Sequence, residues 1–119
     1  MVKHWTEETL EMDEEFARDV LAGLVMVNLQ CFDASMGIAW EASLQYGENH
    51  FRAEHYGLGR ATQYRFTKGD AAVLMEIKAA ACYLIEAKEP LDLLVSYMMP
   101  GDTGLQHLHA VRGDYDAHL

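Results

Sequence analysis

Hydrophobic positions change their spacing several times along the chain, and each change marks an element. Phe16, Val20, Leu24, Val27 and Cys31 recur every three to four residues, which lines one face of a helix. Thr6 stands as an N-cap before Glu7 and Glu8, and Trp5 and Leu10 have the spacing of a hydrophobic staple. This pattern predicts a helix from about residue 7 to 31. Its first half is acidic; its second half, LAGLVMVNLQCF, is apolar nearly all round and is expected to lie deep.

The period then drops to two. Met36, Ile38, Trp40, Ala42, Leu44 and Tyr46 alternate with Gly37, Ala39, Glu41, Ser43, Gln45 and Gly47. Alternation of this kind predicts a strand with one buried face carrying Trp40, and Glu41, Ser43 and Gln45 on the other. Gly47-Glu48-Asn49 has turn chemistry. HFRAEHY and RATQYRF read as two more strands, joined at Gly57-Leu58-Gly59. Thr67-Lys68-Gly69-Asp70 resembles a capping box, and the helix-forming run AAVLMEIKAAACYLIEAKE behind it stops at Pro90. Residues 91–99 alternate like a strand, yet their Leu and Met content, with Pro90 at a first helical position, favours a helix. Asp102 reads as a further N-cap and Gly113 as the residue ending a last short helix.

The elements add up to an α+β fold in a single domain over residues 1–119. Its core has the order α-β-β-β-α, a three-stranded antiparallel sheet packed on helices, followed by a C-terminal helical extension. In topology alone this order resembles double-stranded RNA-binding domains. Their lysine-rich helix N-terminus is missing, since KGDAAV offers one Lys beside an Asp.

Charge changes the picture more than composition does. The chain has 119 residues and a formal charge of −10. Residues 1–20 hold seven acids and two bases, half of that excess. Such a protein repels phosphate backbones and attracts a partner with a basic surface. No direct nucleic-acid partner is therefore expected. No apolar run approaches the roughly 20 residues that span a bilayer, and the acidic N-terminal stretch is unlike a signal peptide. The expectation is a cytoplasmic protein in which Cys31 and Cys82 are free, buried thiols.

Chemistry-bearing motifs are few. Asp102-Thr103-Gly104 is the tripeptide on which aspartic proteases carry their carboxylate. That family places two apolar residues before the Asp and a long β-rich segment after it. Here Pro100-Gly101 precede it and 15 residues follow Gly104, so a turn or helix start is the better reading. HFRAEH nearly matches the zinc motif HxxEH, but His50 and His55 are five apart where four are needed. His107 and His109, with Asp114, Asp116 and His118 nearby, share a face only on a strand. No metal and no cofactor is expected, and no catalytic nucleophile can be nominated. In the hairpin, Arg52, Arg60, Arg65 and Lys68 interleave with Phe51, Tyr56, Tyr64 and Phe66. These bases suit an anion or a stacked base, or else pair with acids on neighbouring strands.

The leading expectation is a non-enzymatic protein-interaction domain. Its principal surface is Glu7, Glu8, Glu11, Asp13, Glu14, Glu15 and Asp19, and Arg52, Arg60, Arg65 and Lys68 form a secondary one. An inhibitor or decoy occupying the basic, nucleic-acid-binding surface of a larger machine fits this charge, as in mobile-element antagonists of host defence. A homodimer is compatible with the sequence. The alternative is a small-ligand or enzyme domain with a pocket lined by Trp40, Tyr46, His55 and Tyr64.

Overall fold

The structure, a computed structural model, describes residues 12–34, 37–56, 63–87 and 89–117. Helix α1 (Glu14–Ala22) is followed by strands β1 (Leu24–Ala34), β2 (Gly37–Tyr46), β3 (Asn49–Tyr56) and β4 (Gln63–Phe66). Helices α2 (Ala71–Ile85), α3 (Pro90–Tyr97) and α4 (Gly104–Ala117) complete the chain. The strands form one antiparallel sheet in sequence order, β1-β2-β3-β4. The predicted α+β fold, an antiparallel sheet on helices with a helical C-terminal part, is the one observed.

The predicted helix 7–31 requires correction. Among the described residues the helix ends at Ala22, and the apolar run behind it is β1, which makes the sheet four-stranded. The cause is a bulge. The β1–β2 register slips between Met26 and Asn28, leaving Val27 as an extra residue, 55% exposed. Leu24 and Met26 face the core before the slip, and Leu29 packs against it after the slip. An odd step thus interrupts the period of two and imitates helical spacing.

The alternation in β2 is as expected. Trp40, Ala42 and Leu44 are buried, while Glu41 and Ser43 on the other face are half-buried and Gln45 exposed. Phe51 and Ala53 of β3 join Trp40, Ala42 and Leu44 in the core. Helix α2 covers this face with Leu74, Ile77, Ala80, Ala81, Leu84 and Ile85. Its N-cap is Asp70 rather than Thr67: Asp70 Oδ1 accepts the amides of Ala72 at 2.7 Å and Val73 at 3.4 Å. The Thr67 hydroxyl and amide both donate instead to the His50 carbonyl.

Residues 90–97 form a helix with Pro90 in its first turn, as their composition favours. Helix α4 runs through Gly113, which was expected to end it. Leu108 and Val111, one turn apart and both buried, anchor the helix ahead of that glycine. Arg112 reinforces the packing by donating to the Leu84 carbonyl at the end of α2. The cysteines also differ from expectation: Cys31 and Cys82 are both free, but both are exposed. Cys31 lies on the edge strand beyond the bulge, and Cys82 on a face of α2 away from the core.

Candidate functional site

Helix α1 carries the described part of the acidic surface. Glu7, Glu8 and Glu11 lie outside the described residues. Asp13 has a structural task, since its Oδ1 caps the helix by accepting the Phe16 amide at 2.8 Å. Glu14 is paired with Arg18 one turn later, at 3.0 Å. Glu15 and Asp19 remain. They are exposed, four residues apart on one helical row, and meet no cation among the described residues. Repulsion between them costs a few tenths of a kcal/mol.

The acidic surface extends onto α2. The Tyr46 hydroxyl is held above its ordinary pKa by burial first, then by the charges of Glu76 and Asp19. Tyr46 therefore marks where α1 and α2 bring their carboxylates together. Its ring also lies against Gly23, where an added Cβ would come within 2.9 Å of it. Glu76 was not among the sequence candidates. A single acid inside AAVLMEIK gives no local sign that α2 will lie alongside α1.

The face of the sheet opposite the core has a different charge arrangement. Glu41 stands opposite Glu54, and Arg52 opposite Arg65, two like-charged cross-strand pairs that each repel. Diagonal contacts resolve both repulsions. Arg52 binds Glu41 and also reaches Glu54 Oε2 at 3.4 Å, and Arg65 Nε reaches the same oxygen at 3.1 Å. Glu54 is 2% exposed, the one buried charged residue among those described. Arg52 and Arg65 are thus partnered across strands. Lys68 is exposed beyond β4, and Arg60 lies outside the described residues. Glu54 was read in the sequence only as a strand residue; Arg52 two positions before it, on the same strand face, was the available signal.

The four residues nominated for a pocket do not converge. Trp40 and His55 face each other in register and stack, with centroids 5.7 Å apart and planes 18° apart. Tyr46 lies six residues further along β2, about 20 Å away at strand spacing. Tyr64 is on β4 opposite Ala53, its side chain outside the described residues.

Asp102 and Thr103 build a turn and a helix start. Asp102 N–H donates to the Met99 carbonyl at 2.9 Å across Pro100-Gly101, with Gly101 at φ +92°. Proline second and glycine third with positive φ is the pattern of a type II turn. The Thr103 hydroxyl accepts the Gln106 amide at 3.0 Å, so Thr103 rather than Asp102 caps α4. The Asp102 carboxylate binds His107 and Gln106 and accepts the Met99 amide. On helix α4, His107 and His109 point in different directions: His107 is turned toward this network and His109 is exposed. Asp114 and Asp116 are on α4 with side chains outside the described residues, as is His118 altogether. Among the described residues no three His, Cys, Asp or Glu side chains gather as metal ligands.

No helix among the described residues is long and apolar enough to cross a membrane. No family model, curated protein or solved structure matches the chain.

Proposed function

We propose that this chain is a non-enzymatic protein-interaction domain whose acidic surface engages a basic surface of a larger protein, as an inhibitor or decoy does. The observation that supports it most is the row formed by Glu15 and Asp19. Both carboxylates are exposed and meet no cation among the described residues, and Glu76 continues the same charge around Tyr46. An ordinary solvated face tends to intersperse both signs. A basic partner would gain from exposed carboxylates already in place, chiefly in its rate of encounter. A groove that normally holds nucleic acid presents such a surface. Two free, exposed thiols suit a reducing compartment, and the cytoplasm is the proposed location.

The test is charge reversal that spares the cap. Glu15→Lys with Asp19→Lys leaves Asp13 and the Glu14–Arg18 pair intact. The fold is expected to lose no more than about 1 kcal/mol, since two lysines repel much as two acids do and position 15 lies in the first turn, where the helix dipole favours an acid. Capture from a native lysate identifies the partner, and stopped-flow binding then compares wild type and variant. The association rate is expected to fall about tenfold or more at low salt and to lose most of its salt dependence. Unchanged kinetics at low and high salt would remove the acidic surface from the interaction.

A further inference from the structure

Strand β1 is an edge of the sheet, and only its beginning is covered. Gly101 N–H donates to the Met26 carbonyl at 2.7 Å, and Met26 N–H donates to the Asp102 carbonyl at 3.1 Å. Val25 forms a bridge with Thr103. The turn before α4 therefore closes the edge as far as the bulge at Val27. Beyond it the backbone groups of β1 alternate again, those of Asn28 and Gln30 toward β2 and those of Leu29, Cys31 and Asp33 away from it. Among the described residues no strand lies on that outer side, and Leu29 and Cys31 make no backbone bond there.

Exposed edges are normally guarded by Lys, Pro or inward-pointing charge. After its bulge this edge has no Lys and no Pro, and its one charged residue, Asp33, stands near its end. From Leu24 to Phe32 the sequence is LVMVNLQCF, nine residues without a charge in a chain of net charge −10. An uncharged edge offers nothing to a basic partner. It is also the one kind of surface on which two copies of a strongly acidic chain can meet without bringing carboxylates together. Antiparallel pairing of a strand with itself about a two-fold axis matches every donor with an acceptor whatever the side chains.

We infer that β1 is a homodimerisation edge, pairing antiparallel with β1 of a second copy about a two-fold axis at Cys31. In that register each Leu29 faces an Asp33 of the other copy, and Cys31 faces Cys31. The two Asp33 residues stay about 13 Å apart along the strand direction, further than the Debye length at physiological salt. The exposed Val27 and half-buried Leu29 supply apolar contact at both ends. A ladder this short is a small interface, so the dimer depends on concentration rather than being obligate. The inference is independent of the acidic-surface reading, and salt separates the two. Screening weakens attraction to a basic partner, whereas it strengthens a contact between two chains of charge −10.

Sedimentation velocity over a hundredfold range of concentration, at low and high salt, tests it. The sedimentation coefficient is expected to rise with concentration, and to rise at lower concentration in high salt. Cys31→Pro removes only an outward N–H and is expected to abolish the dimer, with circular dichroism confirming the fold. If that variant does not fold, Cys31→Lys places two like charges at the axis and is expected to have the same effect. In the Cys82→Ser background a short thiol-to-thiol crosslinker is expected to join two chains, and in Cys31→Ser it is not. A monomer at every concentration and salt, a dimer that survives both Pro and Lys at position 31, or crosslinking through Cys82 alone would overturn the proposal.

Discussion

The two faces of the sheet are held by different forces, although the same strands carry both. On the helix-covered face, Trp40, Ala42, Leu44, Phe51 and Ala53 are buried against α1 and α2, and water exclusion stabilises them. On the other face, two like-charged cross-strand pairs are reconciled by the diagonal ion pairs Glu41–Arg52 and Glu54–Arg65, and Arg52 also reaches the Glu54 oxygen that Arg65 binds. Loss of apolar area is felt in proportion to volume, whatever the neighbour. A charge network instead depends on each member's partners and on how easily a stranded partner regains water. Arg52 and Arg65 are 47% and 64% exposed, so they regain it easily; Glu54, at 3%, does not.

This contrast orders the expected stability changes. Trp40→Ala removes a ring that is 8% exposed and stacks on His55. It is expected to cost about 3–5 kcal/mol in urea unfolding, from lost transfer energy and the cavity left behind. A cost under about 1 kcal/mol, the scale of surface changes, would mean that this face is not the core.

Glu54→Gln comes next. It preserves shape but removes the charge that bridges Arg52 and Arg65, which then oppose each other directly. Partial solvation of both guanidinium groups limits the loss, so about 1–3 kcal/mol is expected. Arg65→Ala in the same assay is expected to cost less than Glu54→Gln, because Glu54 keeps Arg52. An equal or larger loss for Arg65→Ala would show that Glu54 is not the centre of the network.

The same contrast explains which parts were legible in the sequence. Strands β2 and β3 and helix α2 were readable because their periods are uninterrupted and one face of each is buried. Strand β1 was not, because the bulge at Val27 breaks its alternation into steps that match a helix as well as a strand. The four-stranded sheet and the edge at Leu29–Asp33 were hidden with it. For the candidate site, the exposed positions of Glu15 and Asp19 follow from helical spacing alone. What each acid does locally does not. Asp13 is spent on a cap and Glu14 on Arg18, and only the folded chain distinguishes those from Glu15 and Asp19, which meet no cation among the described residues. Glu76 enters through tertiary packing of α1 with α2, a contact between segments more than 50 residues apart in the chain.

Tyr46 gives the smallest and most specific effect, because it sits where the apolar face meets the acidic surface. Burial raises its pKa most, and the negative charges of Glu76 and Asp19 raise it further, since both oppose a phenolate. The sign of the stability effect follows. The unfolded chain releases this proton at an ordinary tyrosine pKa near 10, and the folded chain releases it at a higher pH. The contribution is therefore complete below about pH 10 and is lost as pH rises through the folded value. Urea midpoints measured from pH 8 to 11 are expected to fall at the alkaline end, and Tyr46→Phe is expected to flatten part of that fall. Asp19→Asn combined with Glu76→Gln should bring the phenol titration, followed by ultraviolet absorbance, partway back toward the ordinary value. Only partway, because burial is the larger cause and the substitutions leave it in place. A full return would make charge the dominant influence and would place Tyr46 within the acidic surface rather than at the margin of the core. No movement at all would separate Asp19 from Glu76, and the proposed continuity of the acidic face from α1 to α2 would fail with it.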